Sequence, residues 1–182
     1  GTHDEPEILG RYDLTFKDDE AKNKRAKKMR KDMLFIEKCI RLVKPGGRIA
    51  IVLPQGNLNN PTSEFLRNFI FDQCRLLGCV GLRENTFRPF TPTKTSVVLL
   101  QKWKSEKEKT TDYNIFMADS EKPGKDNSGN YIYLKDKDGN FINEKKQIID
   151  VLKTPRVVDH DLDQIIDEFD NFKKKEKINF NE

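Results

Sequence analysis

At 182 residues, 35% of them charged, the chain is long enough for one domain with a sizeable core and too short for two. Its apolar runs are about five residues long, far below the roughly 18 needed to cross a bilayer, which excludes a membrane protein. Its cysteines, Cys39, Cys74 and Cys79, lie in apolar stretches without metal-binding or redox spacing. We therefore expect reduced core thiols and a cytoplasmic location.

The net charge of +4 is unevenly distributed along the chain. Residues 32–104 carry eleven basic and five acidic side chains, whereas residues 105–182 carry fourteen and eighteen. A basic middle segment suits a polyanion, but a surface excess of this size is also ordinary, so charge alone leaves nucleic-acid binding open. A basic run over residues 22–31 either binds phosphate or is a solvated helix end.

The first elements in chain order are a loop, a helix and a strand. Residues 1–20 show no helical or strand period and are predicted to be an incoming loop. From Glu20 onward, one apolar stripe at helical spacing predicts a long helix that ends at the Lys-Pro-Gly-Gly turn of residues 44–47. The stripe consists of Met29, Met33, Ile36, Ile40 and Val43. Residues 48–53 are apolar on both faces, which predicts a buried, central, parallel strand.

A helix and two strands are predicted next. Asn60 followed by Pro61 is a helix start, and the helix is expected to run to about Arg75. Apolar strands follow over residues 76–82 and 95–101. Because no helix lies between these two strands, they should pair antiparallel. The expected result is a mostly parallel sheet with an antiparallel strand near its edge.

The rest of the chain is predicted to be an extension of short strands and one helix. Residues 113–117 form a short strand, and Asp138-Gly139 is a hairpin turn signal. A helix over residues 159–175 has an apolar face that packs on its own domain or, as a second possibility, on a partner. No internal repeat is recognised. Three segments are therefore expected, at residues 1–20, 21–104 and 105–182.

The first candidate binding segment follows the strand at residues 48–53. In an open α/β sheet, ligands bind beyond the carboxyl ends of the parallel strands. Here that position is occupied by Pro54, Gln55, Gly56 and Asn57. These residues either contact a nucleotide or make a turn and a helix cap, and the turn is the favoured interpretation.

The second candidate is the loop over residues 85–95, which combines aromatic, basic and hydroxyl side chains. Phe87 and Phe90 suit a base stacked outside a duplex, and the cations and hydroxyls suit DNA phosphates. The latter group consists of Arg88, Thr91, Thr93 and Lys94. The alternative is that both phenylalanines are buried in the core.

No catalytic or metal site can be assembled from the sequence. No glycine-rich cofactor turn follows a strand, and His3 and His160 are isolated from any candidate nucleophile. Bottom-up, the chain is an α/β piece with a candidate nucleic-acid loop.

Three stretches together carry a family resemblance. They are residues 34–54 with their Lys-Pro-Gly-Gly turn, residues 58–60, and the loop from Glu84 through Phe90-Thr91 to Lys94-Thr95-Ser96. They resemble the second half of the catalytic domain of type I restriction-modification DNA methyltransferase subunits, which are bacterial N-6 adenine-specific DNA methylases. The Phe-Thr and Lys-Thr-Ser elements narrow the match to the DNA adenine branch.

The resemblance implies part of a Rossmann-like, S-adenosylmethionine-dependent methyltransferase sheet. The strands would be its fifth, its sixth and its antiparallel seventh, with flanking helices and a C-terminal α+β extension. The glycine-rich cofactor loop and the Asn-Pro-Pro-Phe/Tyr motif would lie upstream, and residues 1–20 would follow that motif. The resemblance therefore implies no catalytic residue in this chain, S-adenosylmethionine held mainly by the upstream half, and no activity alone.

By the same resemblance, Phe90 would stack on the flipped adenine, with Phe87 as the alternative. The implied partners are DNA and the specificity and restriction subunits of a type I complex. Two other interpretations remain open. One is a non-catalytic module that binds DNA or another subunit, and the other is a fused restriction–methylation polypeptide that shares this half.

Overall fold

The computed structural model of the chain describes residues 1–16 and 26–178. The chain divides into a first unit, residues 1–79 with 97–115, and a second unit, residues 80–96 with 116–182. Residues 22–25 of the basic run lie outside the described residues. The three segments expected from the sequence stay a prediction.

The described residues contain short and long elements in alternation. The strands are β1 (Thr2–His3), β2 (Met29–Arg30), β3 (Arg48–Pro54), β4 (Cys74–Gly81), β5 (Thr95–Lys102) and β6 (Phe116–Asp119). The α-helices are α1 (Pro6–Leu9), α2 (Lys31–Leu42), α3 (Gly56–Asn59), α4 (Glu64–Gln73) and α5 (Leu162–Lys175). Single 3₁₀ turns lie at Asp13–Thr15, Pro61–Ser63 and Glu106–Glu108.

The main sheet has four strands in the order β3-β5-β4-β6. The amide of Lys102, at the end of β5, donates to the carbonyl of Gly47, just before β3, over 2.9 Å. The amide of Trp103, just after β5, donates to the carbonyl of Gln73, just before β4, over 3.1 Å. Strand β5 is therefore antiparallel to both neighbours, as predicted for its pairing with β4.

Strand β5 lies second in the sheet, between the edge strand β3 and β4, so the antiparallel strand is near the sheet edge, as predicted. The apolar pattern and the short connection predict β4 as one partner of β5, but they do not identify the strand on its other side. Strands β3 and β4 are parallel to each other, and together with β5 and the flanking helices they form part of a Rossmann-like α/β sheet.

Strand β3 is neither central nor fully buried, which corrects the prediction for residues 48–53. In the described sheet β5 is its one hydrogen-bonded neighbour, and Val52 is 47% exposed. Leu53, by contrast, is 2% exposed. The apolar run shows that both faces of the strand can be buried. Whether they are buried depends on the neighbouring strands and helices, which the run does not specify.

Helix α2 begins at Lys31, later than the start predicted near Glu20. Met29 belongs to the predicted stripe and is buried, but it lies in β2 and pairs antiparallel with His3 of β1. An apolar residue four positions before Met33 fits a helix, and it also fits a strand that enters the same core. The first 16 residues contain β1, α1 and a 3₁₀ turn, more order than the loop predicted there.

A buried carboxylate ties this opening segment to α2. Glu37 is 0% exposed, and its two oxygens accept hydrogen bonds from the amides of Asp13 (2.8 Å) and Leu14 (2.9 Å). Arg41, one turn further along α2, forms an ion pair with the same carboxylate at 2.5 Å. A buried charge is tolerated only with such complete pairing, so Glu37 fixes the 3₁₀ turn against the helix.

The rest of the first-unit core follows the predicted apolar positions. Ile36, Leu53, Leu66 and Leu100 are each 2% exposed or less. The Asn60 side chain accepts a hydrogen bond from the amide of Thr62 over 3.0 Å, so the predicted helix start is confirmed.

In the second unit, α5 packs on β6. The ring of Phe116 lies 5.2 Å from that of Phe169 and 5.7 Å from that of Phe172, measured between centroids. Asp161, just before α5, accepts hydrogen bonds of 2.6 Å from the hydroxyl of Ser120 and the amide of Glu121. The first of the two predicted roles of the last helix, packing on its own domain, is therefore confirmed.

Residues 125–148 form three consecutive hairpin turns, here named the hairpin array. In the first two, the Asp126 and Asp136 carboxylates accept the amides of Asn130 (2.9 Å) and Asn140 (2.8 Å). In the third, the Asn143 side chain accepts the amide of Gln147 over 2.9 Å. The turn predicted at residues 138–139 is confirmed, and the expectation of no internal repeat is wrong.

None of the helices within residues 1–16 and 26–178 is long and apolar enough to span a membrane.

Candidate nucleic-acid interface

The loop between β4 and β5 consists of tight, hydrogen-bonded turns and is not an extended segment. The amide of Leu82 donates to the carbonyl of Thr95 over 2.9 Å and closes the base of the loop. Within it, the amide of Arg88 donates to Asn85, and the amide of Phe90 donates to Phe87, each over 3.0 Å. These hydrogen bonds fix the backbone conformation of the loop and thereby the directions in which its side chains leave the backbone.

Phe90 projects from this loop into solvent. Its side chain is 91% exposed, whereas that of Phe87 is 36% exposed. The core alternative is therefore excluded for Phe90 in this structure. A large apolar ring held outside the core by backbone hydrogen bonds is available to stack on a planar ligand. Phe87 is mostly covered and combines packing with a smaller free surface.

The hydroxyl and basic residues of the loop occupy different positions. The Thr91 hydroxyl donates to that of Thr93 over 2.9 Å and accepts the amide of Thr93 over 3.1 Å, which shapes the turn after Phe90. Lys94 lines a polar cleft together with Arg83 and Glu121. The cleft therefore mixes positive and negative side chains and is not a purely basic pocket.

Arg88 is half-buried, and its contacts are partly structural. Its carbonyl accepts a hydrogen bond from the ammonium of Lys125 over 3.0 Å. Its buried Nε has no hydrogen-bond partner among the described residues. A buried guanidinium nitrogen without a partner carries a desolvation cost, which an acceptor from a ligand would remove.

Residues of the hairpin array support the loop, and sequence reasoning missed them. Besides the bond from Lys125, the side-chain amide of Asn85 donates to the side-chain oxygen Oδ1 of Asn127 over 2.8 Å. Gly129 has a φ of +92°, and a Cβ there would lie 2.7 Å from the nitrogen of Pro89. The Asp-x-x-Gly-Asn pattern at residues 126–130, repeated at 136–140, is the signal that could have pointed to them.

The segment that follows β3 makes a turn, as the favoured interpretation expected. The carbonyl of Gln55 accepts the amides of Leu58 (2.9 Å) and Asn59 (3.1 Å), so residues 56–59 form the short helix α3. Pro54, Gln55 and Gly56 are half-buried, whereas Asn57 is 0% exposed. Asn57 therefore does not present its side chain to solvent.

Asn57 instead belongs to a small polar network in the first unit. Its Nδ2 donates to Asp32 over 2.9 Å, and Arg30 forms an ion pair with the same carboxylate. Burial raises the pKa of Asp32, but the hydrogen bonds from Asn57 and Arg30 and the Arg30 charge outweigh it, so this pKa is lowered overall. Asp32 thus stays ionised at neutral pH.

Groups of His, Cys, Asp and Glu able to hold a metal ion do not occur in the part of the chain that the structure describes. The absence of a metal site from the protein stays a prediction from the sequence, because residues 17–25 and 179–182 lie outside the described part of the chain.

Comparison with known proteins decides the family. The sequence profile of the N-6 DNA Methylase family matches residues 11–145. This chain belongs to the N-6 DNA methylase family. The match covers β3, β4, β5 and the loop that presents Phe90, and the resemblance inferred from the sequence is confirmed. Among curated protein sequences, none matches this chain.

Three solved structures align with parts of this chain. A protein from Listeria monocytogenes, described as a class I S-adenosylmethionine-dependent methyltransferase, aligns over 65% of this chain with 19% identity and a TM-score of 0.51. A protein from Vibrio vulnificus, described as the modification subunit of a type I restriction enzyme, aligns over 97% with 17% identity and a TM-score of 0.48. The M protein of the type I restriction enzyme EcoKI aligns over 50% with 25% identity and a TM-score of 0.40.

This N-6 DNA methylase family member spans only part of those proteins. The alignments cover 33% of the Listeria chain, 29% of the Vibrio chain and 19% of the EcoKI M protein. The Listeria match shows that the sheet described above shares its fold with the corresponding part of that protein.

Proposed function

We propose that this chain is the DNA-facing part of the catalytic domain of a DNA adenine methyltransferase, the modification subunit of a type I restriction-modification system. The reaction is transfer of a methyl group from S-adenosylmethionine to the exocyclic amine of adenine. Membership of the N-6 DNA methylase family supports the reaction, and the β4–β5 loop supports the DNA-facing role.

The observation that carries the proposal is the exposure of Phe90. A methylase that modifies a base must take it out of the duplex stack, and an aromatic ring then replaces the lost stacking partner. Phe90 is 91% exposed on a loop whose backbone is hydrogen-bonded at several points. Phe87 is the second choice because it has less free surface.

The polar residues of the loop are proposed to hold the DNA backbone around the flipped base. Arg88, Thr91, Thr93 and Lys94 lie within seven residues of one another and offer cationic and hydroxyl donors. Such contacts place the duplex without reading its sequence. Recognition of the target sequence is assigned to a separate specificity subunit, and cleavage to a restriction subunit.

The described residues fit only the edge of a cofactor site. Asn57 has a buried oxygen that accepts no hydrogen bond from the described residues, but its side chain is fully covered. Pro54, Gln55 and Gly56 are half-buried at the carboxyl end of β3, where ligands of such sheets bind. We assign them to the rim of the site and the remaining cofactor contacts to an upstream half of the protein.

S-adenosylmethionine supplies the methyl group from its sulfonium. The residues of this chain would orient the adenine by stacking and exclude water from its face, while the group that holds the amine would belong to the upstream half. The chain is therefore proposed to be inactive by itself and to act in a cytoplasmic complex.

The test is methyl transfer from labelled S-adenosylmethionine to adenine-containing duplex DNA. It is run on this chain alone and on this chain mixed with the upstream half of the subunit. Activity in the mixture alone supports the proposal. Activity in neither, with salt-sensitive DNA binding retained, would favour a non-catalytic DNA-binding module, and the absence of both would refute a role on DNA.

A further inference from the structure

The hairpin array carries a row of aromatic rings. The centroids of Tyr131 and Tyr133 are 6.3 Å apart, and those of Tyr133 and Phe141 are 6.2 Å apart. Tyr131 is 57% exposed and lies at one end of the row. The rings come from the strands of the first two hairpins, so the repeated turn geometry places them beside one another.

Three cations lie against these rings. The ammonium of Lys125 is 5.2 Å from the centroid of Tyr131, and that of Lys135 is 4.8 Å from the centroid of Phe141. The guanidinium carbon of Arg156 is 4.6 Å from the same Phe141 centroid and 5.5 Å from that of Tyr133. Lys135 and Arg156 therefore share one ring.

These cations have no ion pair with a carboxylate within residues 1–16 and 26–178. The acids next to the two lysines in sequence, Asp126 and Asp136, accept the amides of their own hairpin turns. Asp159, three residues after Arg156, forms an ion pair with Lys122. Two like charges around one ring repel each other, and an anion placed between them would remove that repulsion.

We propose that this row, Tyr131, Tyr133 and Phe141 with Lys135 and Arg156, is a second DNA-contact surface of the methylase. A phosphate of the DNA backbone bridges Lys135 and Arg156, and a base or sugar lies on the exposed face of Tyr131. DNA carries both chemistries at regular spacing, and stacking on an aromatic ring does not depend on sequence. The choice of DNA as occupant rests on the proposed function.

The surface is continuous with the loop that presents Phe90. Lys125, at the Tyr131 end of the row, donates its hydrogen bond to the carbonyl of Arg88 in that loop. The first hairpin turn packs on Pro89, the residue after Arg88, since a Cβ on Gly129 would lie 2.7 Å from the nitrogen of Pro89. DNA held by the loop would thus extend onto the row.

The experiment measures DNA binding by the intact subunit as a function of salt. The test variant is Lys135→Gln/Arg156→Gln, and the control is Lys137→Gln/Lys145→Gln. The control removes the same charge from two exposed lysines of the same array, and neither lies over an aromatic ring of the described residues. Loss of the one phosphate contact that Lys135 and Arg156 share should reduce the slope of log K against log salt by about 0.9, because each neutralised phosphate contributes about that much.

We expect that reduction in the test variant and a clearly smaller one in the control. Tyr131→Ala should weaken binding at low salt by about 5-fold or more, with little change in slope, because it removes stacking and no charge. Because Lys135 and Arg156 are exposed, the melting temperature should remain at the wild-type value. If the double variant fails to fold, Lys135→Gln alone is tested, with half the expected reduction.

Equal reductions in the test and control variants, or unchanged slopes in both, would overturn the inference. Methylation by the wild type separates the two proposals. A subunit that methylates adenine while the test variant binds DNA like the wild type refutes only the second surface. A subunit that binds DNA with the expected slopes but never methylates refutes only the proposed reaction.

Discussion

Replacing Phe90 with alanine separates base stacking from folding. The side chain is 91% exposed, so at about 1.5–3 kcal/mol for a fully buried phenylalanine, the remaining burial stabilises the fold by only about 0.1–0.3 kcal/mol. Stacking on a flipped base is worth roughly 1–3 kcal/mol, or about 5- to 150-fold in affinity. In the intact subunit, Phe90→Ala should therefore weaken engagement of the target base and leave the melting temperature almost unchanged.

The assay combines methyl transfer with the fluorescence of 2-aminopurine placed at the target adenine. We expect a higher KM for DNA, a weaker fluorescence increase on binding, and an unchanged Kd for S-adenosylmethionine. Phe35→Ala is the matched control, because Phe35 is also an exposed phenylalanine, at 60%, and lies on α2 in the other unit. Unchanged methylation together with a melting temperature lowered by several degrees would show that Phe90 packs as a core residue, and it would refute the reasoning.

Three further predictions concern stability and association. Glu37→Gln should lower the free energy of unfolding by about 2–4 kcal/mol, because one of the backbone amides of residues 13 and 14 would then face an NH₂ group. A urea midpoint within error of the wild type would contradict this. Burial raises the pKa of the Cys74 thiol to about 11, although the charge of Lys102 opposes part of this effect. Between about pH 9 and 11 the folded state therefore holds a proton that the unfolded state loses. The free energy of unfolding should fall as the pH rises through this range. Denaturant unfolding of the wild type and Cys74→Ala at pH 7.5 and 10 measures this, and an equal pH dependence in both would exclude the thiol as its source. The chain alone should self-associate at micromolar concentration, because three apolar side chains of its first unit are largely exposed to solvent: Phe35 (60%), Leu42 (74%) and Val52 (47%). A single monomeric species in sedimentation together with a sharp melting transition would argue against this.

The sequence was most informative where an element depends on local pattern. The apolar runs at residues 48–53, 76–82 and 95–101 correspond to β3, β4 and β5, and the antiparallel pairing follows from the short connection. The cover of β3 and the place of β5 between two strands depend on partners distant in sequence, and an apolar pattern contains no information about them. Met29 was assigned to a helix for the same reason, since burial in a core does not require helical backbone.

The candidate site shows a similar division between side-chain type and surroundings. The composition of residues 85–95 made a nucleic-acid loop one of two hypotheses, and it did not show whether Phe90 is buried or exposed. That depends on the turns within the loop and on its support by Lys125, Asn127 and Gly129. These contacts join residues about 40 positions apart, which no local pattern predicts.

The hairpin array shows why a repeat can be complete in structure and only partly visible in sequence. In each turn, a side-chain oxygen accepts the amide four residues later, and the residue just before that amide has a positive φ. The first two turns use Asp and Gly, whereas the third uses Asn143 and Lys146, and the spacing changes from ten residues to seven. Asn can replace Asp as the acceptor, and a lysine can adopt a φ of +61° at a modest cost, so the hydrogen bonds persist while residue identity is lost. What all three turns share is a conformational requirement, and this requirement sets the spacing of Tyr131, Lys135 and Phe141 in the proposed second DNA surface.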